Sequence, residues 1–379
     1  MAAMKRITRE VLGVLKVLKV LVVLVVVVLA VLVPVTHVRA QRAVLSTRPE
    51  TPFKLATFEA AGKVRVGLVL GTRILDIEAA NAVVVQAIDL RGGPAMPHDM
   101  RTLIENYETV APSLYRIANY FKDLKTDGAS FAFDVAKTAI KAPIKYPYNL
   151  LAAAANYKLH AGEMFAPGSP QQKAANEADQ DKEDPVFFAK SPRSCIIDPD
   201  ESYAITPGRN IDWEGELAII IGKPAFKVAE AQAHDYVFGY SIMYDLSDRG
   251  GTGRRPLTGM FNGPNWFAGK SGDRSAPFGP FIVPKEFVSN PTSFHIVTKV
   301  NGVVKQDGDT KNFIWDEAHM IRYLTSILTL YPGDVISSGT PDGVGAGRKP
   351  PEFLKPGDVV TIEIDGIGTL RTPMRAEAR

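Results

Sequence analysis

Apolar residues recur along this chain with two periods, and the two periods mark out its elements. Phe53–Phe58, Val64–Leu70 and Ile74–Ile77 alternate or run apolar, with turns at Ala61-Gly62-Lys63 and Gly71-Thr72-Arg73. That pattern predicts a small antiparallel meander. Helices are expected around Met100–Tyr107 and over Ala111–Leu124, and Lys141–Tyr148, with two prolines, reads as a connection. Leu217–Ile221 is wholly apolar and rich in β-branched residues, which predicts a buried strand. Tyr240–Asp245 reads as a second strand, ending in an acid. Trp315–Leu328 is the clearest helix, apolar at Ala318, Ile321, Leu324 and Leu328 and stopped by Pro332-Gly333. Asp334–Ser337 then forms a strand that runs into a glycine-rich loop, and Val359–Ile364 is the closing strand.

One apolar run has a different character. Val20–Thr36 carries no charge and follows a start containing Lys5, Arg6, Arg9, Lys16 and Lys19. Its seventeen residues lie at the lower limit of a bilayer span, about 17–25. Val38-Arg39-Ala40 offers small residues for a signal peptidase, so a cleaved export signal and an uncleaved anchor both fit residues 1–42. The remainder is expected outside the cytoplasm, periplasmic or anchored at the inner membrane, with membrane contact only through residues 1–42 if they are retained.

That leader also explains the charge. The net charge is +3 over 379 residues, but residues 1–42 hold seven Lys or Arg against the single acid Glu10. The rest is slightly acidic, which excludes a basic nucleic-acid surface. The single cysteine, Cys195, excludes an internal disulfide.

Candidate chemistry starts at Asp212-Trp213-Glu214-Gly215-Glu216. Alternation along a strand points Glu214 and Glu216 the same way, and Asp245 ends the next strand. Three carboxylates without Cys or His are hard oxygen ligands, suited to Mg²⁺, Mn²⁺ or Ca²⁺ rather than Zn²⁺. The same spacing also fits a strand whose solvent face carries acids. His160 and Glu163 are three apart and share a face of a helical turn, a spacing for a general base with its orienting acid or for a surface pair. The polar stretch Phe165–Asp184 follows directly and is expected to be a lid loop or an insertion. Gly339–Gly345 is expected to offer backbone N–H groups and a hydroxyl to a substrate carboxylate, or to be a plain tight turn. A P-loop is excluded, because the position five before Gly269 is Pro264, and no Gly-x-Ser-x-Gly elbow occurs.

Several spaced motifs occur in order: Asn156-Tyr157-x-x-His160-x-x-Glu163, Phe188-Ala189-Lys190, Glu214-x-Glu216, Gly239-Tyr240-x-x-x-x-Asp245, Gly269-Lys270-Ser271-x-Asp273, Val300-Asn301-Gly302 and Gly339-Thr340-Pro341-x-Gly343-Val344-Gly345. Over about residues 150–375 the chain resembles the fumarylacetoacetate hydrolase superfamily. The resemblance implies an α+β, mainly β protein: a small N-terminal β-rich domain with its linker (43–148) and a mixed β-roll catalytic domain (149–379) behind the leader (1–42). It implies a homodimer and a Mg²⁺ or Mn²⁺ ion on Glu214, Glu216 and Asp245. His160, Glu163 and Lys270 would be catalytic, and Tyr157, Lys190, Arg249 and Thr340 would contact a 2-oxo acid substrate. The implied reaction is C–C bond hydrolysis of an acylpyruvate or fumarylacetoacetate-type substrate. Isomerisation or decarboxylation on the same fold, of 2-hydroxymuconate or oxaloacetate type, is the alternative, and a non-catalytic membrane-anchored binding protein the second. In one place the chain departs from the family pattern. Arg249 is followed by Gly250-Gly251-Thr252, where the family commonly carries an acid and then a glutamine.

Overall fold

The computed structural model describes residues 45–90, 93–253 and 265–378. The expected export signal or anchor lies outside them, as do Gly263 and Pro264. Among the described residues no helix is long and apolar enough to cross a membrane.

Strands dominate the α+β architecture, in three sheets among the described residues. In the largest, the apolar run Gly215–Ile221 lies near the middle, antiparallel to Val237–Tyr244 on one side and to Val335–Ser337 on the other. Val335–Ser337 in turn pairs in parallel with Leu150–Ala154, which leads into the helix Lys158–Glu163. The sheet therefore brings together the ends of four segments that are far apart in sequence.

The meander forms as expected, from Lys54–Ala60, Lys63–Leu70 and Arg73–Asp76. Its first strand adds to the large sheet by pairing Leu55 with Ile282. Leu68, Leu103 and Leu114 share one apolar cluster with Ile220, Phe238 and Val335. A second cluster lies between Gly215–Ile221 and the five-stranded sheet that contains His295–Val300 and Val359–Ile364. Gly215 is required by that packing: a Cβ there would lie 2.3 Å from Thr298 Oγ1 and 2.9 Å from Ile362 Cγ2.

Three differences from the pattern reading have local causes. The strand at Ile74 ends at Asp76 and runs straight into a helix, Ile77–Ala87, because the Asp76 carboxylate accepts from the N–H groups of Glu78 and Ala79. The helix expected from Ala111 starts at Tyr107, with Pro112 tolerated in its second turn. The polar stretch after Glu163 is not all loop; Ser169 caps a helix over Pro170–Asn176, with Pro170 in its first turn.

A single buried acid couples the strands that carry the site. Asp334 accepts from Asn149 N at 2.8 Å, Asn149 Nδ2 at 2.8 Å and Tyr331 N at 2.8 Å. Burial raises its pKa, against those three bonds. Asp334→Ala would leave buried N–H groups without acceptors and is expected to cost about 3 kcal/mol. Urea unfolding of the variant against the natural protein checks this; an unchanged midpoint would contradict it.

Candidate metal and proton-transfer site

The first half of the site comes from the end of the strand Arg209–Asp212 and the start of the strand Gly215–Ile221, with Glu214 between them. Asp212, Glu214 and Glu216 are spaced by two and all are buried. The neighbouring strand supplies Asp245, whose N–H donates to Glu214 O at 3.0 Å, with Gly215 opposite Tyr244. One carboxylate oxygen from each of Glu214, Glu216 and Asp245 lies within 4.8 Å of the others. Such a group would repel itself strongly out of water.

Three cations hold it together. Lys270 Nζ donates to Glu214 Oε2 at 2.5 Å, Asp245 Oδ2 at 2.5 Å and Ser247 Oγ at 2.6 Å. Those three acceptors use all three of its protons, which makes it a fixed charge rather than a proton donor. Lys190, fully buried, donates to Asp245 Oδ1 at 2.5 Å. Arg249 binds Asp212 Oδ2 through Nε at 3.0 Å and also reaches Glu214 Oε1.

The charges are not shared evenly. Burial pushes the Glu214 carboxyl up, but Lys270 and Arg249 outweigh burial and hold it well below its usual range. Glu216 goes the other way: burial first, then Asp245 and Glu214, push it well above. It accepts from Ser337 Oγ at 2.5 Å and Gly339 N at 3.0 Å, and among the described residues no Lys or Arg pairs with it. The donor set is hard and anionic and includes one carboxylate without a cation. It fits a divalent Mg²⁺ or Mn²⁺ ion on Glu214, Glu216 and Asp245.

His160 sits on the helix Lys158–Glu163, and its Nδ1 lies 2.5 Å from Glu163 Oε1. Glu163 Oε2 accepts from Gly343 N at 2.8 Å, so the acid is held from both sides. His160 is also near enough to Glu214 to help lower its pKa. Tyr157, just before that helix, is buried with its ring 4.9 Å from that of Phe313. Its hydroxyl has no hydrogen-bond partner among the described residues. Burial, then Glu216, keep that hydroxyl protonated well beyond its ordinary range.

The glycine-rich loop differs from expectation. Its N–H groups are taken by the protein's own acids: Gly339 by Glu216, Gly343 by Glu163, and Gly345 and Ala346 by Asp212 at 2.6 and 3.1 Å. The Thr340 hydroxyl, expected at a substrate carboxylate, donates to Gly215 O at 3.0 Å. The loop therefore ties the triad, the His160–Glu163 pair and Asp212 into one unit.

Sequence reasoning missed Asp212 and Gln306. Asp212 continues the alternation of Glu214 and Glu216 by one step, so its signal was present. Gln306 is one of several polar residues in the strand Val303–Asp309 and gives none. After Arg249 the backbone takes a path that suits glycine. Gly250 and Gly251 both have φ of +106°, and a Cβ on Gly251 would lie 2.2 Å from Gly208 O. Neither position suits the larger residues of the family pattern.

Glu216→Gln keeps an acceptor for Ser337 and Gly339 but removes the one carboxylate without a cation. Mn²⁺ binding, followed by titration calorimetry, is expected to be lost, while the thermal midpoint holds or rises because a buried repulsion is relieved. Undiminished Mn²⁺ affinity would contradict the three-carboxylate site.

Comparisons with known proteins bear on the family. The family model described as fumarylacetoacetate (FAA) hydrolase, C-terminal, matches residues 149–375. Oxaloacetate tautomerase YisK of Bacillus subtilis (strain 168) is 32% identical over 321 residues, 84% of this chain and 98% of that protein. The mitochondrial oxaloacetate tautomerase fahd2 of Xenopus laevis is 30% identical over 343 residues, 89% of this chain and 95% of that protein. Among solved structures, maleylpyruvate hydrolase from Sphingobium sp. SYK-6, in complex with manganese(II) and pyruvate, superposes with a TM-score of 0.60 at 26% identity, covering 86% of this chain and all of that one. The chain belongs to the fumarylacetoacetate hydrolase family.

Proposed function

We propose that this family member is a divalent-metal-dependent enzyme that interconverts the enol and keto forms of a 2-oxo acid of oxaloacetate type. The observation that carries this reading is the His160–Glu163 pair set against the acidic triad, with Gly250 and Gly251, not an acid or amide, following Arg249. A proton-transfer pair is present, and the side chain that the family pattern would use to orient an attacking water is replaced. The two oxaloacetate tautomerases similar to this chain support the same choice.

Lys190, Lys270 and Arg249 compensate Asp212, Glu214 and Asp245, and a divalent ion on the triad would meet both the Glu216 carboxylate and a substrate carboxylate. The ion would act as a Lewis acid toward the carbonyl of a chelating 2-oxo acid.

The remaining steps belong to the chain. Glu163 accepts from His160 Nδ1 and so leaves Nε2 as the basic nitrogen. Nε2 takes the enol O–H proton and returns it to the adjacent carbon as the C=C pair becomes the C–H bond and the C=O forms. No water is consumed and no C–C bond breaks. Lys270, its pKa lowered by burial but raised more by Asp245 and Glu214, stays cationic beside the developing oxyanion.

C–C hydrolysis is the second reading, favoured by the likeness to the maleylpyruvate hydrolase. In it the same His160 would take its proton from water. The two are separated by giving the protein Mg²⁺ with enol oxaloacetate, followed by ultraviolet absorbance, and with acylpyruvates, followed by mass spectrometry. Accelerated enol decay is expected, and His160→Asn should slow it about 10²–10⁴-fold. Cleavage of acylpyruvates without any effect on enol decay would overturn the tautomerase reading in favour of hydrolysis.

A further inference from the structure

We propose that Gln306 is a positioning residue for the metal ligands: with Thr340 it clamps both peptide groups of Gly215 and so fixes the directions of Glu214 and Glu216. The inference rests on the metal-centre reading above and concerns a residue that takes no part in it.

The strand Gly215–Ile221 is supported along its 335–337 edge only part of the way. Ser338 N donates to Leu217 O at 3.0 Å, and there the backbone ladder ends. Two residues further on, Gly215 N donates to Gln306 Oε1 at 3.1 Å. Gly215 O accepts from Thr340 Oγ1 at 3.0 Å. Gln306 Nε2 closes the ring by donating to Thr340 Oγ1 at 2.8 Å, and it also donates to Pro341 O at 2.7 Å. Two side chains thus replace a missing strand at the one residue between the two glutamates.

That residue needs the support. Glycine has the widest backbone freedom, and here it is dictated by the close approach of Thr298 and Ile362. The Gly215 N–H belongs to the peptide that follows Glu214, and the Gly215 C=O to the peptide that precedes Glu216. Holding both sets the planes on either side of Gly215, and with them the Cα–Cβ directions of the two ligands.

Gln306 is aimed at this position by a bulge. Thr298 pairs with Gln306 but Lys299 pairs with Val304, so Lys305 is an extra residue in the strand Val303–Asp309. Gln306 is 1% exposed, in a strand that otherwise carries exposed or half-buried side chains. Its amide makes three hydrogen bonds, all within this ring and its Pro341 neighbour. A buried amide so fully committed costs conformational freedom and desolvation that an apolar residue would not.

The test uses the full-length chain in mild detergent, with Mn²⁺ alone as the probe. Calorimetry and Mn²⁺ electron paramagnetic resonance report affinity and coordination symmetry without substrate, and near-ultraviolet circular dichroism reports packing. Gln306→Leu and the isosteric Thr340→Val are each expected to keep the fold and weaken Mn²⁺ binding about 10–100-fold, the usual worth of a residue that orients ligands. The double variant should lose little more than the weaker single one, because one ring is broken in each case. Natural affinity in both folded single variants, or fully additive losses in the double, would overturn the clamp. If Gln306→Leu does not fold, Thr340→Val decides alone. A natural protein that binds no Mn²⁺ overturns the metal centre and this inference with it. Binding by the natural protein that both variants match overturns only the inference.

Discussion

Lys270 placed between Glu214 and Asp245 is the interaction on which the rest of the molecule depends. Two carboxylates brought together out of water would each take a proton or stay apart. One ammonium bonded at 2.5 Å to both lets two different strands end at the same point. Arg249 and Lys190 extend the same compensation to Asp212 and to the second oxygen of Asp245. A desolvation cost of several kcal/mol for each ion is offset only because the charges alternate and nearly every polar atom is bonded. Glu216, the one carboxylate with no such partner, is where an added cation gains most.

The fold can be understood as a scaffold for that cluster. The central strand carries Glu216, the segment leading into it carries Asp212 and Glu214, its hairpin neighbour runs into Asp245, and the parallel pair formed by Val335–Ser337 and Leu150–Ala154 delivers the glycine-rich loop and His160 to the same end. The loop uses its N–H groups to hold Glu216, Glu163 and Asp212 in register. Those N–H groups are thereby taken up within the protein.

Much of this was legible before any coordinates. Alternation placed Glu214 beside Glu216, and a strand ending in an acid announced Asp245, because strand periodicity acts over two residues and needs no tertiary knowledge. The spacing of His160 and Glu163 likewise gave their contact. The family resemblance singled out Lys190 and Lys270 but not their bonds to Asp245 and Glu214, since nothing local shows which lysine crosses the fold. Gln306 was invisible, since a single amide in a strand acquires meaning only from the bulge at Lys305 and from Gly215, ninety-one residues earlier. The loop was read as a binding surface because its N–H groups look unclaimed in sequence; their acceptors lie between 123 and 180 residues away.

The most direct test of the metal site is crystallographic. Crystals grown with Mn²⁺ and measured at the manganese absorption edge should show an anomalous peak in contact with Glu214, Glu216 and Asp245, with Lys270 still bonded to Ser247. A map with no peak there, or with the peak elsewhere while Glu216 keeps only Ser337 and Gly339 as partners, would contradict the account.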